Sequence, residues 1–123
     1  MPVQEPDLKP RTKQFALRVI RLFRSLPRKP EAEVIGKQLL RSATSVAANY
    51  RAVCRSRSDA EFLSKMGVVL EEADESVFWL ELLSESDLVP TKRIADLTRE
   101  ANELVAIFAQ SRITAQRKKQ DPV

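Results

Sequence analysis

The stretch LLRSATSVAANYRAVCRSRSDAEF, Leu39–Phe62, decides the predicted fold. Small apolar side chains recur at helical spacing through its first part, and every charged residue up to Arg57 is positive. Ser58-Asp59-Ala60-Glu61 then reverses the sign of the charge and matches the capping box that starts a new helix. The stretch therefore predicts two successive helices, of which the first is narrow and basic.

The flanking sequence predicts one more helix on each side of this pair. Phe15, Val19 and Leu22 share a helical face before the helix-breaking segment Pro27-Arg28-Lys29-Pro30. The same periodicity reappears after Pro90. The four predicted helices cover roughly residues 10–26, 31–57, 59–85 and 91–117. Short connections make consecutive helices antiparallel, so the predicted fold is all-α, a single up-down-up-down four-helix bundle over residues 1–123.

The residue inventory argues against catalysis. The 123 residues include no histidine and a single cysteine, Cys54. Without histidine the commonest general base and the usual zinc and di-iron ligands are missing, so we expect no enzyme activity, no metal and no cofactor. Cys54 lies on the apolar side of the second predicted helix and is expected to be a small buried residue. The isolated Gly36 and Gly67 predict close packing between helices.

The sequence also bears on where the protein works. The segment MPVQEPDLKP at its start has no apolar run that could act as a signal peptide, and no other run is long enough to span a membrane. A lone cysteine fits a reducing compartment. We therefore expect a soluble protein in the cytoplasm.

Charge is distributed unevenly along the chain. Residues 1–57 contain 13 Lys and Arg against 4 Asp and Glu, a balance of +9. Residues 58–110 contain 4 against 12, a balance of −8, and residues 111–123 return to +3. The first half therefore carries a strong positive charge that needs a partner.

The positive residues of the second helix predict a binding surface. Lys37, Arg41, Arg51 and Arg55 fall within about 80° around the helix axis, and they would form a straight ridge. The first helix and the tail add further cations. The predicted nucleic-acid-binding residues are Arg18, Arg21, Lys37, Arg41, Arg51, Arg55, Arg117 and Lys118.

The third helix predicts a second kind of surface. Its later half is apolar on nearly all sides, and adjacent residues such as Phe78 and Trp79 cannot both point into one core. A wide core contact and a contact between subunits both explain this pattern. The predicted oligomer interface consists of Val68, Glu71, Glu75, Trp79 and Leu82.

Three interpretations of the basic faces remain open from the residues. They are the ordinary solvated faces of a bundle, or they pair with the Glu71 and Glu75 face of a neighbouring subunit. The third interpretation is phosphate contact with RNA or DNA, with little sequence specificity because few aromatic residues accompany the cations. A protein partner is a further alternative.

A signature in the second helix resembles a known family. Gln38, Arg41, Ala43, Ser45, Val46 and Asn49 match Q-x-x-R-x-A-x-S-[IV]-x-x-N, and Ser58, Glu61 and Phe62 match the S-x-x-E-F that follows it. The sequence is therefore similar to the small bacterial proteins encoded in intervening sequences of 23S ribosomal RNA genes. These proteins are related to the accessory variability determinants of diversity-generating retroelements.

The resemblance implies an antiparallel four-helix bundle that forms a homopentamer. It also implies a positively charged surface that contacts nucleic acid, and a possible protein partner such as a reverse transcriptase. Ser45 and Asn49 of the signature lie one helical turn apart. They predict either a polar packing contact or a ligand contact.

Overall fold

The structure, a computed structural model, describes residues 7–120 and contains four α-helices in that range. They are α1 (Leu8–Arg24), α2 (Pro30–Val53), α3 (Asp59–Glu85) and α4 (Thr91–Gln120). Consecutive helices are antiparallel neighbours, and the prediction of an all-α, up-down-up-down four-helix bundle is confirmed.

Local signals explain where the helices begin. The Asp7 side chain accepts a hydrogen bond from the Lys9 backbone N–H and caps α1. Pro30 opens α2, where a missing N–H costs nothing. At α3 the Ser58 hydroxyl accepts from the Glu61 N–H at 3.1 Å, so the predicted cap is present.

The helix ends differ from the prediction in one place that matters. Helix α2 stops at Val53 rather than at Arg57, and the next residues form short-range bonds such as Ser56 N–H to Val53 C=O. The chain needs residues 54–58 to reverse direction between two antiparallel helices. At the other end of α3, Asp87 takes a positive φ of 63° and turns the chain towards α4.

The packing is strongest between consecutive helices. Helix α2 packs on both α1 and α3, α4 packs on α3, and α1 meets α4 only along a narrow seam. Large side chains from all four helices fill one core. Its fully buried members include Phe15, Val19, Leu39, Val46, Met66, Leu80, Leu104 and Phe108.

Two details fix how α2 sits between its neighbours. Gly36 lies against α1, where an added Cβ would stand 2.5 Å from Leu26 Cδ1 and 3.0 Å from Phe23 Cδ1. On the other side, the buried hydroxyls of Ser42 and Ser76 form a 2.8 Å hydrogen bond between α2 and α3. Small residues therefore bring α2 close to both partners.

Candidate nucleic-acid interface

The predicted nucleic-acid-binding residues do not form one surface. Arg18 and Arg21 lie on the α4 side of α1, where they line a groove of about 410 Å³. Arg93 of α4 lines the same groove and donates a hydrogen bond to the Ser25 hydroxyl. We call this the α1–α4 groove. The sequence analysis did not predict Arg93 as a binding residue, because no pattern in its own helix distinguishes it.

The α1–α4 groove has an apolar floor and one acid at its edge. Leu22, Ile94 and Leu97 form the floor, and all three are nearly fully buried. Asp96 lines the groove too, but its carboxylate accepts from Arg99 of the same helix at 2.8 Å. The groove therefore keeps a positive character.

Arg11 does not belong to any free basic surface. Its guanidinium donates to both carboxylate oxygens of Glu100, at 2.7 and 2.8 Å, and to Glu103 at 3.0 Å. These bonds, led by the one to Glu100, raise the pKa of Arg11 above its ordinary value. Arg11 ties α1 to α4 across their seam.

Two of the four cations of the predicted ridge, Lys37 and Arg41, form ion pairs within the chain. Lys37 forms an exposed ion pair with Glu33 at 2.9 Å. Arg41 bonds to Glu75 and pairs with Glu72 at 3.4 Å, both on α3. Arg41, which was predicted to bind nucleic acid, is therefore paired within the chain, because α3 lies beside that face of α2.

These contacts shift the pKa values of Arg41 and Glu75. The hydrogen bond to Glu75 raises the pKa of Arg41. The pKa of Glu75 is lowered from its ordinary 4.5, first by the hydrogen bond from Trp79 Nε1 at 2.9 Å and then by Arg41. The three side chains form a charged network on the outside of the α2–α3 pair.

Arg55 is not a ridge residue either. Because α2 ends at Val53, Arg55 lies in the α2–α3 connection, and helical spacing no longer places it in line with Lys37. Cys54 is exposed for the same reason, so the expectation that it is buried was wrong.

Within residues 7–120, cations without an ion pair lie at both ends of the bundle, and one group of them lies where α2 stops and α4 ends. Arg112 Nε on α4 donates to Leu63 C=O on α3 at 3.4 Å, which sets the antiparallel register of the two helices. The antiparallel order of the helices places the C-terminal end of α4 at the same end of the bundle as the connection between α2 and α3. We call this region the basic end. Its six exposed cations are Arg51, Arg55, Arg57, Arg117, Lys118 and Lys119.

The basic end carries unbalanced charge. Within residues 7–120, none of its six side chains forms an ion pair with a carboxylate. Two acids lie at the start of α3: Asp59 is exposed, and Glu61 bonds to Lys65 and to the Arg57 backbone N–H. The Lys65 bond is the main cause of the lowered pKa of Glu61. These cations could therefore bind phosphate oxygens.

The predicted oligomer interface is partly internal. Glu75 and Trp79 bond to each other, and Leu82 is half-buried. The exposed apolar residues of α3 are Val68 and Phe78, which are 41% and 49% exposed. Phe78 stands edge-on to Trp79 with ring centroids 4.9 Å apart. Phe78 therefore takes the outward place that the sequence analysis gave to Trp79.

The α3 outer face combines these apolar side chains with a carboxylate. We use this name for Val68, Glu71, Phe78 and Leu82, which lie at helical spacings of three, seven and four residues. Glu71 is exposed, and Glu75 borders the face through the network with Arg41. A basic and apolar partner surface would complement it.

The signature residues serve the packing of α2. Gln38 accepts from Arg41 Nε at 3.4 Å, while Ala43 and Val46 are fully buried. Asn49 donates its side-chain amide to the Ser45 carbonyl at 2.9 Å within the helix. These signature residues therefore have structural roles within α2 and its packing.

Two other kinds of site are absent from the part of the chain that the structure describes. No group of three or more Cys, Asp or Glu side chains in residues 7–120 is placed to bind a metal ion. None of the four helices, over the same residues, has the length and apolar character needed to cross a membrane.

Comparisons with known proteins agree with the fold. The sequence profile of the family described as 23S rRNA-intervening sequence protein matches residues 6–110. A crystal structure from Bacteroides thetaiotaomicron, of a protein with unknown function from the S23 ribosomal protein family, is similar at a TM-score of 0.78 and 30% sequence identity. The similarity covers 85% of this chain and 96% of that one. No curated protein sequence matches.

The matched region ends before Arg117, so the α4 half of the basic end lies outside it. The match does span α1, α2 and α3 with their connections, and it includes the complete signature. The chain belongs to the 23S rRNA-intervening sequence protein family.

Proposed function

We propose that this protein binds nucleic acid through the basic end, mainly by phosphate contacts, and that it has no enzymatic activity. The observation that carries the proposal is a group of six exposed cations with no intramolecular carboxylate partner among residues 7–120. The chain belongs to the 23S rRNA-intervening sequence protein family, and the resemblance to that family implies a positively charged surface that contacts nucleic acid. The lack of histidine supports a binding role, and we propose a cytoplasmic location.

Phosphate contacts predict a strong dependence on salt. Each neutralised phosphate releases counterions, so the affinity for a structured RNA should fall steeply between about 50 and 200 mM salt. Fluorescence anisotropy with a labelled RNA hairpin measures this slope. Absence of binding at about 50 mM salt, or an affinity that does not change with salt, would contradict the proposal.

A charge-matched pair of variants locates the site. The first variant changes Arg117, Lys118 and Lys119 to Gln, and the second changes Arg24, Arg28 and Lys29 at the opposite end of the bundle. All six side chains are exposed, so both variants should keep the fold. We expect the first variant to lose more affinity and a larger part of the salt slope. Equal losses would mean that total charge, and not the basic end, determines binding.

The alternative function is assembly through the α3 outer face. Exposed Phe78 and Val68 beside Glu71 are typical of a protein contact, and the partner would be a neighbouring subunit or another protein such as a reverse transcriptase. In this alternative the free cations pair with the acids of the partner. A homopentamer of the 14.0 kDa chain would have a mass of about 70 kDa.

Light scattering after size-exclusion chromatography tests the assembly. Changing Phe78 to Lys and Glu71 to Lys reverses the chemistry of the α3 outer face and replaces no member of the Arg41 network, although it removes the ring contact of Phe78 with Trp79. We expect this variant to dissociate if the face is the interface. Changing the exposed Asp96 to Lys, on α4, serves as the control for added charge. An unchanged mass in the first variant would exclude this face.

A further inference from the structure

The α1–α4 groove is lined by cations that have no carboxylate partner. Arg18 and Arg21 of α1 and Arg93 of α4 line it, and none of the three forms an ion pair within residues 7–120. These cations come from both helices of the groove, and the floor between them is apolar. A surface of this kind complements a partner that is both acidic and apolar.

Helix α3 carries a surface of the opposite charge. Phe78 is 49% exposed, and its ring lies edge-on to Trp79 at a centroid distance of 4.9 Å. Four exposed carboxylates lie on the same side of the helix as Phe78, within about 80° around its axis. They are Glu71, Asp74, Glu81 and Glu85. We call these four residues the α3 acids, and none of them forms an ion pair within residues 7–120.

One chain cannot bring these two surfaces together. Helix α3 packs on α2 and α4, and α1 packs on the same two helices, so α1 and α3 lie diagonally across the bundle. The exposed Phe78 points to solvent and not towards the α1–α4 groove of its own chain. Because every copy of the chain carries both surfaces, a second copy supplies the missing partner.

We propose that the α1–α4 groove of one copy receives the α3 outer face of a second copy, with Phe78 on the apolar floor and the α3 acids against the arginines. The inference rests on the alternative function of assembly and adds the surface on which α3 docks. An aromatic ring among guanidinium groups gains a cation–π attraction, and the surrounding ion pairs fix its orientation. Contact between two different surfaces of identical chains is heterologous and produces a ring or a filament.

A second basic cavity provides the competing site. Arg28 and Lys29 line a cavity of about 510 Å³ at the α1–α2 turn, beside apolar side chains. Its cations come from the turn alone. The α1–α4 groove instead runs between two helices, and the α1 residues that line it, at positions 18, 21, 22 and 25, follow one helical face for two turns. A helix such as α3 can lie along that groove, so the groove is the favoured site.

Charge swaps test the docking pair, with light scattering after size-exclusion chromatography as the measurement. The variant Arg21→Glu, Arg93→Glu places an acid on each wall of the groove. The variant Asp74→Lys, Glu81→Lys places cations beside Phe78. We expect each double variant to have the 14.0 kDa mass of a single chain, because like charges then face each other. The chain with all four changes should recover the wild-type mass, because opposite charges face each other again.

The control variant is Arg28→Glu, Lys29→Glu, which makes the same change of charge at the competing cavity. It should keep the wild-type mass, and Asp96→Lys, which adds a cation at the edge of the α1–α4 groove, should keep it too. All these side chains are exposed, so the variants should keep the fold, as measured by urea denaturation.

The outcomes separate the docking pair from assembly itself. Dissociation of the Arg28 and Lys29 variant, with the groove variant still assembled, would place α3 at the turn and overturn the proposal. Failure of the four changes to restore the mass also overturns the docking pair, while dissociation of the Asp74 and Glu81 variant would still support assembly through α3. A wild-type protein with the mass of a single chain overturns both.

Discussion

At the level of single residues, the structure shows how the chain uses up many of its own charges. Arg11, Lys37 and Arg41 were all available to a partner in the sequence, and each has an intramolecular carboxylate in the fold. Sequence spacing predicted which face of a helix they occupy. It could not predict which acids stand opposite, because that depends on the rotation and register of a neighbouring helix. The cations of the basic end are among those that have no carboxylate partner within residues 7–120.

The Arg11 contact predicts a measurable loss of stability. Changing Arg11 to Met removes the bonds to Glu100, whose side chain is only 17% exposed, and leaves that carboxylate without its partner. Hydrogen bonds to charged groups contribute about 1.5–3 kcal/mol, so we expect a decrease of that order in the free energy of unfolding. Urea denaturation measures it. Changing exposed Arg24 to Met is the control, and an equal decrease there would contradict a specific role for the seam contact.

Glu75 predicts a dependence of stability on pH. Its pKa in the folded protein lies below the ordinary 4.5, so its ionised form stabilises the fold above pH 4.5. That contribution is lost as the pH falls through the folded value. With the side chain 35% exposed, we expect less than about 1 kcal/mol.

Changing Glu75 to Gln isolates this contribution. The difference in unfolding free energy between the two proteins should be largest near neutral pH and should shrink below pH 4.5, as followed by urea midpoints. A difference that stays constant from neutral pH to about pH 3 would show that the carboxylate charge does not contribute.

At the level of helices, a strong local sequence signal predicted a helix boundary correctly, and a boundary without such a signal was predicted wrongly. The Ser58 cap places the start of α3 correctly because the hydrogen bond that makes it a cap is local. The end of α2 was wrong because residues 54–57 contain no glycine or proline to stop a helix. What stops it is the need to place α3 antiparallel to α2, which is a tertiary requirement. Cys54 and Arg55 were misplaced as a result.

Substitutions at the two glycines should have opposite effects on the stability of the protein. At Gly36 an added Cβ would stand 3.0 Å or less from Phe23 of α1 and from Leu26 just after that helix, so changing Gly36 to Val should lower stability by about 1–3 kcal/mol. At Gly67 an added Cβ would stand 3.4 Å from Arg112 Nε, an ordinary contact. Changing Gly67 to Ala should therefore raise stability by up to about 1 kcal/mol through helix propensity.

Thermal and urea unfolding of both variants check this pair. Stabilisation by Val at Gly36 would show that α1 moves away from α2 at little cost. Destabilisation by Ala at Gly67 would show that Arg112 cannot shift.

At the level of the whole molecule, the core residues of α4 and its basic residues lie in different parts of the helix. The deepest core residue of α4 near its end is Phe108, whereas residues 117–119 are exposed. The sequence predicted both the core stripe and a basic tail. The up-down-up-down order places this tail at the same end of the bundle as the α2–α3 connection.

This separation predicts that the tail can be removed without loss of the fold. A chain that ends after Gln116 should keep its unfolding free energy within about 0.5 kcal/mol. The same chain should lose up to about 3 from the magnitude of the salt slope for RNA, because three cations are gone. Urea denaturation and anisotropy measure the two quantities. A large loss of stability would show that the last turn of α4 supports the bundle.

The narrow seam between α1 and α4 has a consequence for folding kinetics. Apart from that seam, the helix pairs in contact are consecutive in the chain, so most of the native contacts can form over short loops and the contact order is low. Closure of α1 onto α4 joins residues about as far apart as Arg11 and Glu100, and it should come after the rate-limiting step. Changing Arg11 to Met should then speed unfolding and leave the folding rate nearly unchanged in stopped-flow experiments. A φ-value near one would instead place the seam in the folding nucleus.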